Sequence, residues 1–430
     1  MKDLKISDIT FPNNKLGKIV FAGTLILYLM FYLGLHHYFK ETRIFFYFSS
    51  VILVVILIHR PKMVASIIIK PMLILFLLFV LSTIFSSYIR YSLDILDTVI
   101  RISLIAFFPY ALISSKNRLY IFLLFWLSYH DILVIRNLIR ASLVFDRVGA
   151  SGLASTSFLG DANDFALALN IALPFAYYLM IQTNKKILKV FSIGTIFLLI
   201  AGIVQSNSRG GLITLFVISI LICLQQKTRV QCLVILLILW IGFFYSVPSE
   251  VIERFNTIRT GEAFEENDTG GKRIILAITG LKMMLDHPIT GVGLGRYPYA
   301  YGTLYRPNDD NAWRVAHNSY MTMGAEVGVI GLMSYLYLIF CVFKENYAIR
   351  KALQMKTEGI NYLSYISRSI TVGLTAYCVE TTALTAWYYI HLFLLISLTL
   401  LIKKIMIYEY GIQPEDECYK IKTSQQGQLS

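Results

Sequence analysis

Apolar residues in this chain fall in long unbroken blocks separated by short polar segments, not in strict alternation or on one helical stripe. Blocks of this kind read as helices with hydrocarbon on every side, because a membrane span needs about 20 mostly apolar residues. Twelve blocks can be placed, at roughly 19–38, 44–59, 67–87, 95–114, 119–139, 163–182, 187–205, 210–225, 230–246, 318–343, 363–384 and 386–402. The pattern predicts an all-α, polytopic membrane protein with about 12 transmembrane helices. The block at 44–59 is short, and the block at 119–139 carries His130, Asp131 and Arg136.

Composition strengthens this reading. Of 430 residues, 56% are hydrophobic and only 15% charged, and mean hydropathy is +0.63. A soluble domain of that size would carry a far more charged surface. The net charge of +13 does not indicate nucleic acid, because the basic residues sit between apolar blocks, where Lys and Arg set orientation. With the N-terminus inside, every inner segment is basic: Lys2, Lys5, Lys15 and Lys18; Arg60 and Lys62; Lys116 and Arg118; Lys185, Lys186 and Lys189; Lys227 and Arg229; Lys344, Arg350, Lys351 and Lys356; Lys403 and Lys404. Both termini are therefore expected in the cytoplasm. The first block follows a polar, Lys-containing arm and reads as a retained anchor, not a cleaved signal peptide. The five cysteines show no disulfide pattern.

Residues 1–408 are expected to form one transmembrane domain, with 409–430 a polar cytoplasmic tail. Two outer segments are long. One runs from Arg140 to Ala162 and is rich in Gly and Ser. The other, about 246–316 between the ninth and tenth spans, carries eight Lys/Arg against nine Asp/Glu. Its apolar stretch from Arg273 to Leu285, ended by Pro288, predicts a helix lying at the membrane interface. Gly291, Gly293 and Gly295 then predict a tight turn.

Candidate chemistry gathers on the outer side. In Ser206-Asn207-Ser208-Arg209-Gly210-Gly211, Arg209 sits at the membrane–water boundary, where a guanidinium grips a phosphate through two parallel hydrogen bonds. Snorkelling to headgroups is its structural alternative. His317, in Ala316-His317-Asn318-Ser319-Tyr320, titrates near neutrality and suits a general base or an anion donor. Glu326 lies at a depth where a carboxylate is costly unless paired or functional. Arg273 opens the outer apolar stretch. Asp161, Asn163 and Asp164 open the sixth span; helix capping explains one of them but not all three, nor Arg147 nearby. Glu380 is a second costly carboxylate and is expected to pair with an arginine. Asp309 and Asp310 read as solvated loop residues. No His/Cys/Asp/Glu cluster has zinc spacing, and neither a phosphate-binding loop with Lys-Ser/Thr nor a Gly-x-Ser-x-Gly elbow occurs. No metal or cofactor is expected.

Taken together, Ser208-Arg209-Gly210-Gly211, Arg273 followed by Asp286-His287-Pro288-Ile289-Thr290-Gly291-Val292-Gly293, and Ala316-His317-Asn318-Ser319-Tyr320 with Glu326-Val327-Gly328-Val329-Ile330-Gly331 resemble the O-antigen ligase and polymerase superfamily. The stretch from Arg147 through Asn163 looks like its upstream segment, and the resemblance covers about 147–340. It implies a C-type glycosyltransferase (GT-C) architecture in the bacterial inner membrane. It further implies metal-independent, inverting transfer of a glycan from undecaprenyl diphosphate to an acceptor at the periplasmic face, as in lipopolysaccharide biosynthesis. By the family pattern Arg209 and Arg273 would hold the diphosphate, and His317 would activate the acceptor hydroxyl or hold the diphosphate. Arg147, Asp161, Asn163, Ser208, Asn318 and Glu326 would complete the substrate site. A lipid A–core acceptor would make the chain a ligase; a lipid-linked glycan would make it an O-antigen or exopolysaccharide polymerase. A solute transporter is the competing class, since Arg101, Asp131 and Glu380 would suit a polar pathway. No internal repeat supports it.

Overall fold

In the computed structural model, residues 15–32, 44–59, 63–144, 161–226, 228–246, 269–307, 313–354 and 361–412 are described. All regular elements among them are helices: α1 (Lys15–Tyr32), α2 (Ile44–His59), α3 (Ile69–Ile84), α4 (Ile89–Leu112), α5 (Lys116–Val144), α6 (Ala162–Gln182), α7 (Lys186–Gln205), α8 (Arg209–Leu224), α9 (Arg229–Ser246), α10 (Thr269–Asp286), α11 (Tyr297–Ala300, continued by a π turn over Tyr301–Tyr305), α12 (Ser319–Gln354), α13 (Asn361–Glu380) and α14 (Ile390–Tyr410).

Among the described residues each of the twelve apolar blocks overlaps a helix. Six helices among the described residues are long and apolar enough to cross a membrane: α4, α5, α6, α7, α12 and α14. The longest of them, α12, spans 36 residues but is interrupted at Gly328; the 26 residues from Val329 to Gln354 alone rise about 39 Å at 1.5 Å each, enough for a hydrocarbon core of about 30 Å.

Burial sorts centre from rim. In α14, 94% of the apolar window is buried inside the protein, against 28% in α7; α14 is a central post and α7 presents most of its surface to lipid. α6 packs on α7 and α13, α14 packs on α4 and α13, and α12 lies against α3, α10 and α13. In the last third of α12, buried Glu345 pairs with Lys403 of α14 at 2.6 Å. The same carboxylate accepts from Ser66 Oγ at 2.7 Å and from the Ile67 N–H at 3.3 Å.

Two boundaries differ from the sequence expectation. The last two spans were placed at 363–384 and 386–402, yet α13 stops at Glu380 and α14 starts at Ile390. Residues 381–389 form a connecting turn instead. Its backbone groups bond to the start of α12: Ser319 N–H donates to Thr381 O at 2.9 Å, Ser319 Oγ to Leu384 O at 2.8 Å, and Ala386 N–H to Ser319 Oγ at 2.8 Å. Those partners release the turn from helical pairing despite its apolar sequence. α10, expected from Arg273, begins one turn earlier, at Thr269.

α10 has two apolar faces. Leu276 and Met283 are buried, and Gly280 lies 3.4 Å, at its would-be Cβ, from Met321 Cβ of α12. Ile274, Ile278, Leu281 and Leu285 form an exposed stripe continued by Ile289, as expected of a helix with one side to protein and one to lipid. The chain then returns over Pro288–Gly293 as a strap against α12, with Val329 N–H donating to Pro288 O (2.8 Å), Val292 N–H to Ala325 O (2.8 Å) and Gly293 N–H to Glu326 O (3.3 Å). α12 is broken there. Gly328 has φ 82° and ψ 179°, and a Cβ on it would lie 2.5 Å from Pro288 O. Opposite, Gly291 (φ 67°) leaves no room between itself and the Glu326 backbone for a side chain. The tight turn expected at Gly291, Gly293 and Gly295 is present, all three having positive φ.

Candidate functional site

Three helix N-termini meet at one end of the bundle. Asp161 caps α6, its carboxylate accepting from the Asn163 N–H. Ser208 caps α8, its hydroxyl accepting from the Gly211 N–H at 3.0 Å. Asn318 caps α12, its Oδ1 accepting from the Tyr320 and Met321 N–H groups at 3.0 Å each. Each N-terminus presents the positive end of its dipole, which favours an anion; in α12 the Ser319, Tyr320 and Met321 N–H groups are already taken by Thr381 O and Asn318 Oδ1.

The caps are tied together. Asn163 Nδ2 donates to Asp161 Oδ1 at 2.7 Å and Ser208 Oγ donates to Asn163 Oδ1 at 2.7 Å, joining α6 to α8. Two turns down α6, Asn170 Nδ2 reaches both Gly211 O (3.0 Å) and Glu380 Oε2 (3.1 Å), adding α13 to the unit. Glu380 thus pairs with an amide, not with the arginine expected from sequence: the α6–α13 packing brings Asn170 to it. The close approach depends on Gly211, whose would-be Cβ lies 2.6 Å from Ala166 Cβ, while Gly210 meets nothing nearer than 3.8 Å. One of those 3.8 Å neighbours is Ala383, and Asn318 Nδ2 donates to Thr382 O at 2.9 Å. The 381–389 turn therefore borders both the α8 and the α12 starts, and Tyr389 from it hydrogen-bonds Asp164.

Arg209, Arg273 and His317 stand over this frame. The Arg273 guanidinium feels the charges of Arg209 and Asp161, and the His317 imidazole feels those of Arg273, Asp161 and Arg314. Arg273 is thus within electrostatic reach of Arg209, and His317 within reach of Arg273. Among the described residues, neither arginine forms an ion pair within 4 Å. Burial lowers the Arg273 pKa, and Arg209 lowers it further. His317 is lowered by burial first, then by Arg273, with Asp161 opposing and Arg314 adding. Its imidazole is consequently neutral at neutral pH. Arg209 is the first residue of α8, where a cation opposes the helix dipole; local helix stability does not explain it.

His317 has φ +48°, and Asn207, which precedes the Ser208 cap, has φ +52°. Left-handed backbone at non-glycine residues concentrates at functional sites. At His317 it turns the chain from buried Ala316 into the Asn318 cap, and the bonds of Asn318 and Ser319 to the 381–389 turn hold it there.

The other expected site residues divide. Asp161, Asn163, Ser208 and Asn318 lie at the cluster, with their polar atoms engaged in capping and cross-linking. Glu326 turns elsewhere. It is 3% exposed, and its carboxylate accepts from the backbone N–H groups of Gly295 and Tyr297, the latter at 3.2 Å, so it caps α11. Arg147, Asp309 and Asp310 lie outside the described residues. Among the described residues no group of three His, Cys, Asp or Glu side chains could hold a metal ion. Sequence reasoning missed Asn170 and the 381–389 turn. Asn163 and Asn170, seven residues apart on an apolar helix, share one face, and that spacing was a usable signal.

No curated protein matches the chain. Residues 194–336, which include Arg209, Arg273, His317 and the broken start of α12, match the family model described as O-antigen ligase, a match that supports the O-antigen ligase superfamily for this chain.

Proposed function

We propose that the chain is an O-antigen ligase-type glycosyltransferase of the bacterial inner membrane, with both termini cytoplasmic and its site periplasmic. It would move a glycan from undecaprenyl diphosphate to a lipid A–core acceptor. The observation that carries this reading is the pair of cations Arg209 and Arg273, without ion-pair partners among the described residues, within electrostatic reach of each other and of the His317 imidazole, beside capped helix N-termini in a segment matching the family.

The chemistry follows from where charge develops. An acceptor hydroxyl oxygen attacks the anomeric carbon from the face opposite the diphosphate, and a new O–C bond forms. The anomeric C–O bond breaks, its electron pair passing to the leaving diphosphate oxygen, with inversion. The hydroxyl proton passes to the His317 imidazole, which is neutral and able to accept it. Arg209 and Arg273 neutralise the departing charge. A fixed donor aimed at developing charge in a partly dry site contributes about 3–4 kcal/mol, so two cations can supply the principal stabilisation without a metal.

Arg209→Ala and His317→Ala are expected to leave the protein inserted and to abolish glycan transfer in cells; full transfer by both variants refutes the assignment. Deleting the gene separates the acceptors. Long glycan accumulating on the lipid carrier indicates a ligase, and single repeats indicate a polymerase, the alternative within the same superfamily.

A further inference from the structure

A second polar feature lies beside this cluster and belongs to none of its interactions. Gly295–Tyr299 and Trp313 form, with the start of α4, an open cavity of about 320 Å³ walled by Tyr88, Tyr91, Tyr299, Trp313 and Arg296. Small-molecule sites are concave, mostly aromatic and apolar, with a few fixed polar groups, and span about 300–1,000 Å³. This one is at the lower end, the scale of one or two sugar rings.

Among the described residues Arg296 is its only charged wall residue. The side chain is 5% exposed, its guanidinium carbon lies 3.7 Å from the Tyr299 ring centroid and 5.4 Å from that of Tyr88, and its buried Nε has no hydrogen-bond partner among the described residues. A largely buried cation resting on ring faces gains from an anion that completes it. The rings themselves are open: Tyr88 is 56% and Trp313 61% exposed. Tyr and Trp offer wide apolar faces at little conformational cost, with a polar edge, which matches the C–H faces and hydroxyl rims of a pyranose.

We propose that this cavity binds a sugar unit bearing a carboxylate or phosphate, its ring stacked on Trp313 and Tyr299 and its anionic group on Arg296. The proposal rests on the glycosyltransfer reading for its role: the bound sugar is one unit of a glycan substrate. Trp313 and His317 are four residues apart, so their Cα atoms lie within about 14 Å at full extension. A sugar seated in the cavity would then be a unit of the same glycan that presents the reacting group.

The test uses the full-length protein in nanodiscs and saturation-transfer NMR with methyl glucuronide, methyl glucoside and inorganic phosphate. Methyl glucuronide is expected to bind the unaltered protein and both Arg209→Ala and His317→Ala. Binding should fall about tenfold or more in Arg296→Gln, which removes a charge-assisted contact, and in Trp313→Ala, whose exposed side chain can be cut without disturbing the fold. Methyl glucoside is expected to bind more weakly. Equal binding of glucoside and glucuronide, tight binding of phosphate alone, or unchanged binding in Trp313→Ala overturns the proposal. Sugar binding that is lost in Trp313→Ala while Arg209→Ala still transfers glycan would sustain the cavity and overturn the catalytic reading.

Discussion

Gly211 is the position where one atom should separate a working site from a merely folded protein. Its would-be Cβ falls 2.6 Å from Ala166 Cβ and 3.2 Å from Ser208 Cβ. Carbon atoms settle at about 3.5–4.0 Å, so Gly211→Ala must drive the α8 start from α6 by about 1 Å. Overpacking of this kind costs about 1–3 kcal/mol, a loss the bundle can survive. The site cannot absorb it as easily. The Ser208–Asn163 bond of 2.7 Å and the Asn170–Gly211 bond of 3.0 Å would open beyond the roughly 3.2 Å limit of good hydrogen bonds, and Arg209 would move with them. A displacement of about 1 Å at a catalytic group costs about 100-fold in rate. Glycan transfer by purified protein in nanodiscs should therefore fall about 100-fold in Gly211→Ala, with thermal unfolding lowered by a few degrees. Gly210→Ala, whose Cβ meets nothing nearer than 3.8 Å, should stay within about twofold, since ordinary surface changes cost at most about 0.5 kcal/mol. Adding Ala166→Gly to Gly211→Ala should recover part of the rate. Equal behaviour of the two glycine variants, or no recovery, refutes the geometry.

Three further outcomes are expected. Because His317 is held below its ordinary pKa of about 6.5, the base form dominates at neutral pH and kcat/KM should fall only as pH drops through that lowered value. Arg314→Gln removes a lowering charge and should move the acid limb to higher pH, whereas Asp161→Asn removes a raising charge and should move it lower; limbs shifting in the same direction would refute the charge assignment. Gly291→Ala, with its Cβ driven into the Glu326 backbone at φ 67°, should deplete folded protein in a detergent-extraction assay. Gly411→Ala, at φ 64° with nothing within 4 Å, should lose only the left-handed cost of about 1–2 kcal/mol. Lys403→Met strands the buried Glu345 carboxylate and should cost about 3–5 kcal/mol, most of it recovered in chemical denaturation by adding Glu345→Gln.

The apolar blocks made the helices legible, because hydropathy over about 20 residues is a local property. Arg209, Arg273 and His317 were legible for a related reason: charge beside an apolar block stands out. What sequence hid was register between helices. Glu380 was expected to meet an arginine, but the packing of α13 on α6 delivers Asn170, and no local pattern encodes that match. Thr381-Thr382-Ala383-Leu384-Thr385 is apolar enough to pass as span, and only its bonds to Asn318 and Ser319 reveal a turn. Asn163, Ser208 and Asn318 read as ligand contacts because a capping side chain and a binding side chain expose the same atoms. Glu326 shows the converse error of distance: a costly carboxylate near His317 in sequence serves α11 instead.

The interruption of α12 at Gly328 divides a long shaft into two mechanical parts. On one side, Ser319–Val327 is clamped between the Pro288–Gly293 strap and the 381–389 turn. On the other, Val329 N–H is tied to Pro288 O of the same strap. The strap therefore grips both lips of the break and fixes the angle between them, so the short segment that follows His317 is seated independently of the shaft's far end.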